Sequence, residues 1–177
     1  MEELYKKTLD RLKAELKKQL PEIEANGDWL WHHPEAGFKE TETQKYCLEV
    51  LKNHGFEACT WPDVTGFTCT YDTGRPGPCV MIMGEMDSLI CYSHPDCNPE
   101  TGAAHACGHS IQVATAMGAF ITLTESGVLE NFGGKVMLAG VPAEECLEIE
   151  WRTREIQKGR LHYLCGKAEL LYRGAFD

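Results

Sequence analysis

The run CVMIMGEMD, Cys79 to Asp87, decides how this chain folds. Its first five residues are apolar without alternation, the pattern of a short strand covered on both faces. Acidic residues enter only at its carboxyl end, as Glu85 and Asp87. KVMLAGVPAEE, Lys135 to Glu145, is built the same way: an apolar strand to Val141, Pro142 to close it, then Glu144 and Glu145. Between the two, Ile111 to Leu123 is apolar nearly all round and longer than a typical strand, which reads as a buried helix. Strand, helix, strand with buried strands predicts an α/β fold with a parallel sheet. Such sheets collect ligands at the carboxyl ends of their strands, where both acidic stretches lie.

The flanks fit this reading. Tyr5, Leu9, Leu12, Leu16 and Leu20 recur at helical spacing; Pro21 is expected to start a second helix that runs to about His33, before Pro34. Thr41 with Gln44 suggests a capping box for a third helix, with Thr43, Cys47, Val50, Leu51 and His54 on one face and Gly55 as its stop. Phe67, Cys69 and Tyr71 alternate with threonines as in a half-buried strand. Leu147 to Arg173 reads as two charged surface helices broken near Gly159 and Gly166.

The chain has 177 residues, 43% hydrophobic and 25% charged, which is globular composition. Such a length can bury about 70% of its unfolded surface. With 27 acidic against 17 basic side chains, the net charge is −10, which disfavours nucleic acid and anionic membranes as partners. No apolar stretch approaches the ~20 residues that span a bilayer. The amino terminus is charged and lacks the apolar core of a secretory signal. Nine cysteines then suggest thiols in a reducing, cytoplasmic setting.

Metal-binding residue types crowd Cys91 to His109. In HACGH, Cys107 and His109 stand two apart around a glycine and would point the same way in extended backbone. Thiolate and imidazole suit zinc or a similar transition metal. Ser110 fits as the N-cap of the next helix, whose positive end would favour the Cys107 thiolate. A different set, Cys91, His94, Cys97 and His105, could form a closed zinc site, although its spacing is unusual and its loop looks solvated. Adjacent carboxylates at Glu144 and Glu145 are costly to desolvate without a cation; one could bind metal while the other accepts a proton from water. Glu85 or Asp87 could orient a histidine or hold charge there. No phosphate loop and no nucleophile elbow occur.

HHPEAGF (His32 to Phe38), GEMDSL (Gly84 to Leu89), HACGHS (His105 to Ser110) and VPAEE (Val141 to Glu145) follow one another in order. Together they resemble the HPE, ADMDAL, HACGHD and QPAEE motifs of peptidase family M-twenty, in its branch of aminoacylases, hippurate hydrolases and auxin-conjugate hydrolases. The resemblance covers roughly Trp29 to Asp177. It implies a zinc-peptidase-like catalytic domain with two divalent ions, zinc, manganese or similar, and hydrolysis of the amide bond of an N-acyl amino acid or related small amide. Residues 1–177 would be the amino-terminal part of that domain, a partial doubly wound sheet without the family's lid. The resemblance implies Cys107, His109 and Glu145 as metal ligands, Glu144 as general base and Asp87 as the aspartate beside the metals.

Ser110 and Glu85 both stand where the family has aspartate, and sister branches place a histidine ligand at the Glu85 position. Family members are also much longer, with two further histidine ligands, the lid and several strands beyond the point matching Asp177. Weak metal binding and impaired hydrolysis are therefore expected, with a non-catalytic remnant that binds metal or associates without turnover as the alternative. The strand Lys135 to Val141 is expected to be left as an uncovered edge, making the chain prone to self-association.

Overall fold

Three segments set the frame: strand β3 (Cys79–Glu85), helix α3 (His109–Glu125) and strand β6 (Lys135–Val141). The computed structural model describes residues 2–177. β3 and β6 pair in parallel, with Cys79 opposite Lys135 and Glu85 opposite Val141. The buried helix and the crossover therefore fall as the sequence indicates. The sheet as a whole is mixed rather than parallel: β2 (Val64–Asp72) runs antiparallel to β6, and β1 (Cys59–Trp61) antiparallel to β2, in the order β1-β2-β6-β3. A separate two-stranded ribbon joins β4 (Leu89–Ile90) to β5 (Ala103–Ala104).

The strand order corrects one expectation. β6 is central, and its Val136, Leu138 and Val141 are buried. The uncovered edge is β3, where Val80 is 57% and Met81 40% exposed. An unbroken apolar run cannot distinguish a central strand from an edge strand, because neighbour count is set by topology.

Helices α1 (Glu2–His32), α2 (Thr41–Asn53) and α3 cover one face of the sheet around Leu30, Cys47, Leu51, Phe67, Met117, Phe120 and Leu138. α1 is one helix, with Pro21 inside it. Pro21 is exposed, so the carbonyl it leaves without an intrahelical partner can be hydrated. Only part of its amino-terminal stripe is covered: Leu9 and Leu12 are half-buried, whereas Tyr5, Leu16 and Leu20 are exposed. Gly84 lets α3 lie close on β3, since a Cβ there would stand 2.9 Å from the Val113 Cα.

The start of α2 is also capped differently from expectation. The Glu35 carboxylate accepts the N–H groups of Thr41, Glu42 and Thr43 at 3.1, 3.2 and 2.8 Å. Gln44 instead accepts the Gly66 N–H at 2.7 Å. Gly55, at φ 80°, follows the helix end as expected.

The tail forms α4 (Ile149–Gln157) and α5 (Gly166–Tyr172), so Gly166 starts a helix. Leu161 and Leu170 join Val64, Ala139 and Val141 in a second core. Charged residues here are not all on the surface. Arg152 is fully buried, its Nη1 donating to the Leu164 carbonyl at 2.7 Å. Buried Glu169 accepts the His162 and Tyr163 N–H groups and Arg173 Nε. No helix among the described residues is long and apolar enough to cross a membrane.

Candidate metal centre

β3 and β6 end side by side and stay joined beyond the ladder, as the Met86 N–H donates to the Val141 carbonyl at 2.8 Å. Asp87 follows immediately and is fully buried. After β6, Ala143 takes a left-handed turn at φ 50°. Its N–H donates to Glu40 Oε1 at 2.7 Å and its carbonyl accepts the Gly166 N–H at 3.1 Å. These bonds hold an unfavourable conformation that turns the chain toward Glu144 and Glu145. α3 enters the same rim from Gly108, whose φ of 98° needs glycine. His109 is its first residue, so two strand ends and one helix start converge.

Cys107, His109 and Glu145 bring one donor atom each within 4.8 Å of one another, and Glu85, His109 and Glu144 form a second such group. Glu85 thus joins the site. His109 Nδ1 donates to the Asp87 carbonyl at 2.8 Å and lies 3.3 Å from its carboxylate. Nε2 lies 3.2 Å from Glu85 and 4.0 Å from Glu144. Asp87 Oδ2 accepts the Glu145 N–H at 2.9 Å. Asp87 therefore orients both neighbours. From α5, Lys167 Nζ pairs with Glu85 and stands 3.9 Å from Glu144.

The charges follow from these contacts. Bonding to Asp87 raises the His109 pKa to about 9 against the opposing effect of burial. Burial pushes the Asp87 carboxyl up, but bonds from His109 and from the Glu145 and Glu144 backbone outweigh it and hold it below its ordinary value. Hydrogen bonding to Glu145 raises the Cys107 pKa, helped by burial and by the charges of Glu145, Glu144 and Glu85. The expected thiolate bias from the α3 terminus is thus overridden by three carboxylates. Ser110 is not the cap either; Gly108 holds that position, and Ser110 Oγ is buried without a partner.

The alternative cysteine-rich zinc set does not assemble among the described residues. Cys91 Sγ faces Ser93 Oγ, Cys97 Sγ donates to the Tyr92 carbonyl, and His94 Nδ1 accepts the Asp96 N–H. His105 is buried with neither ring nitrogen bonded, and burial lowers its pKa to about 4. Glu35 lies within HHPEAGF, but no role for it could be read from the sequence; Glu40 was not singled out, and Lys167 lies in a tail that reads as surface.

No family model matches the chain. It is 29% identical over 149 residues to the N-acetyl-L-cysteine deacetylase of Bacillus subtilis, covering 82% of this chain and 34% of that protein. With the N-acetyldiaminopimelate deacetylase of Brevibacillus brevis it shares 31% over 131 residues, covering 71% of this chain and 33% of the other. The solved structure of a dinuclear metal binding peptidase from the M-twenty family of Bacillus subtilis matches with a TM-score of 0.69 at 24% identity, over 93% of this chain and 41% of that one, a likeness of fold. The chain spans about a third of the length of these curated relatives. In sequence the chain is similar to deacetylases and in fold to an M-twenty peptidase, and both likenesses agree with the four ordered motifs.

Proposed function

We propose that this protein hydrolyses the amide bond of an N-acyl amino acid or a related small amide, and that Cys107, His109 and Glu145 hold a divalent metal ion for the reaction. The donor chemistry fits such an ion: a sulfur, an imidazole nitrogen and a carboxylate oxygen converge within 4.8 Å. Charge fits as well. Among the described residues, Glu85, Asp87, Glu144 and Glu145 face the His109 ring and Lys167 as their nearby basic groups. With Nε2 donating to the ion the His109 ring is neutral, so four carboxylates face Lys167 alone, an excess of negative charge that a divalent ion would offset.

A bound ion of this kind supplies Lewis acidity, making water easier to deprotonate and a carbonyl easier to attack. The protein's own groups do the rest. Asp87 fixes the His109 ring through Nδ1, which leaves Nε2 as its donor atom. Glu144 is the general base: it accepts the proton of the attacking water and returns it to the leaving amine. The position of Glu144 carries this reading. It stands beside the donor group, and the basic groups facing it, Lys167 and His109, lie at 3.9 and 4.0 Å, beyond hydrogen-bonding distance, so its oxygens can accept a proton.

Release of free amine from a panel of N-acetyl and N-benzoyl amino acids, with and without chelator, tests the proposal. Chelator-sensitive release is expected. Bound metal without release from any substrate would favour the second reading, metal binding without turnover, which the nearness of Lys167 to Glu144 supports.

A further inference from the structure

We propose that Lys167 acts as a tethered second cation of the rim, so that this chain binds one divalent ion rather than two. The inference rests on the metal reading above and concerns how many ions the site accepts.

The two donor groups share His109. Its Nδ1 is committed to Asp87, leaving Nε2, 3.2 Å from Glu85, as the one ring nitrogen that can serve as a donor. A single nitrogen lone pair can complete only one of the two groups. If His109 joins Cys107 and Glu145, the other group is reduced to the carboxylates of Glu85 and Glu144. Lys167 already bridges those two, paired with Glu85 and 3.9 Å from Glu144.

The backbone shows that this placement is built in. The Gly166 N–H is held by the Ala143 carbonyl at 3.1 Å, next to the Glu144–Glu145 turn. A Cβ at Gly166 would collide with the Pro142 carbonyl. The start of α5 is therefore pressed onto the end of β6, and the next residue, Lys167, reaches the rim. An ammonium beside two carboxylates neutralises charge without needing a third ligand. A second divalent ion would have to displace it or accept a like charge a few ångströms away, and either weakens binding.

Equilibrium dialysis of the 177-residue chain against Co²⁺, with visible spectra to follow thiolate coordination, tests this. The wild type should bind one ion with a thiolate-to-cobalt band. Lys167→Gln should keep that ion and bind a second ~10–100-fold more tightly than wild type, without a further thiolate band. Lys167→Arg, which keeps the charge, should behave as wild type. An unchanged second-ion affinity in Lys167→Gln, or two ions bound tightly by the wild type itself, overturns the inference and leaves the metal reading standing. Loss of the first ion in Lys167→Gln alone overturns the inference, and failure of the wild type to bind any ion overturns both.

Discussion

Asp87 grips His109 through its main-chain carbonyl, which accepts from Nδ1 at 2.8 Å, while its side chain takes the Glu145 N–H at 2.9 Å. One buried residue after β3 therefore orients a ring on α3 and the backbone beyond β6. When the ring is neutral its proton therefore stays on Nδ1, and Nε2 faces Glu85 and Glu144.

Metal should be lost when the thiol is removed. Cys107→Ala leaves the donor group with one nitrogen and one oxygen, and the expected result is a marked fall in bound zinc or manganese. Elemental analysis after chelator-free purification decides it; equal metal in both proteins would sink the ligand assignment.

Glu144→Gln should separate catalysis from binding. The amide keeps the shape of the side chain but cannot accept the water's proton. Hydrolysis of an N-acyl amino acid is expected to fall on the order of 10²–10⁴-fold, with metal content and thermal melting preserved. Undiminished turnover would show that another group is the base.

Glu40 gives a pH signature. Burial raises its carboxyl from 4.5 to about 7, although bonds from Thr65 and Ala143 pull the other way. An acid whose pKa rises on folding binds its proton more tightly when folded. Its unfavourable effect is therefore absent below about pH 4.5, grows as pH rises to about 7 and then levels, at roughly 3 kcal/mol. Glu40→Gln can retain both hydrogen bonds and never ionises. Unfolding in denaturant should show near-equal stabilities at pH 4.5 and a more stable variant at pH 8; a constant difference across that range would refute the burial argument.

Gly84→Ala should loosen the rim from below. The new Cβ meets the Val113 backbone at 2.9 Å, which pushes α3 off β3 one turn from His109. A loss of ~1–3 kcal/mol is expected, read as a lower melting temperature together with weaker metal binding. An unchanged melt would mean the helix shifts freely.

The exposed edge predicts self-association. Val80 and Met81 present apolar side chains on β3, whose outer backbone groups have no neighbouring strand among the described residues. Size-exclusion chromatography should show concentration-dependent oligomers that Val80→Lys reduces. A wild type that stays monomeric at high concentration would show that the edge is protected.

Much of the site was legible because its chemistry is local. Cys107 and His109 are two residues apart, Glu144 and Glu145 adjacent, and each pair ends or begins an element whose apolar pattern is plain. The β3–α3–β6 crossover was legible for the same reason. What the sequence hid depends on distant partners. β3 and β6 have similar apolar runs, yet only pairing with β2 makes β6 central. The helix-terminus effect on Cys107 was a sound local argument, but three carboxylates from two other segments of chain act against it. Lys167 enters the rim because Gly166 packs on Pro142, a contact between residues far apart in sequence.

Glu35 does two separable jobs. Its carboxylate holds the first turn of α2, while its carbonyl accepts both the N–H and the hydroxyl of Ser88 at 2.8 and 2.9 Å. Side chain and main chain thus serve opposite neighbours. Shortening the side chain would unfasten the helix and leave the Asp87–Ser88 loop still tethered. Drift at this position is therefore felt first as a loss of robustness, with the chemistry of the rim the last thing to change.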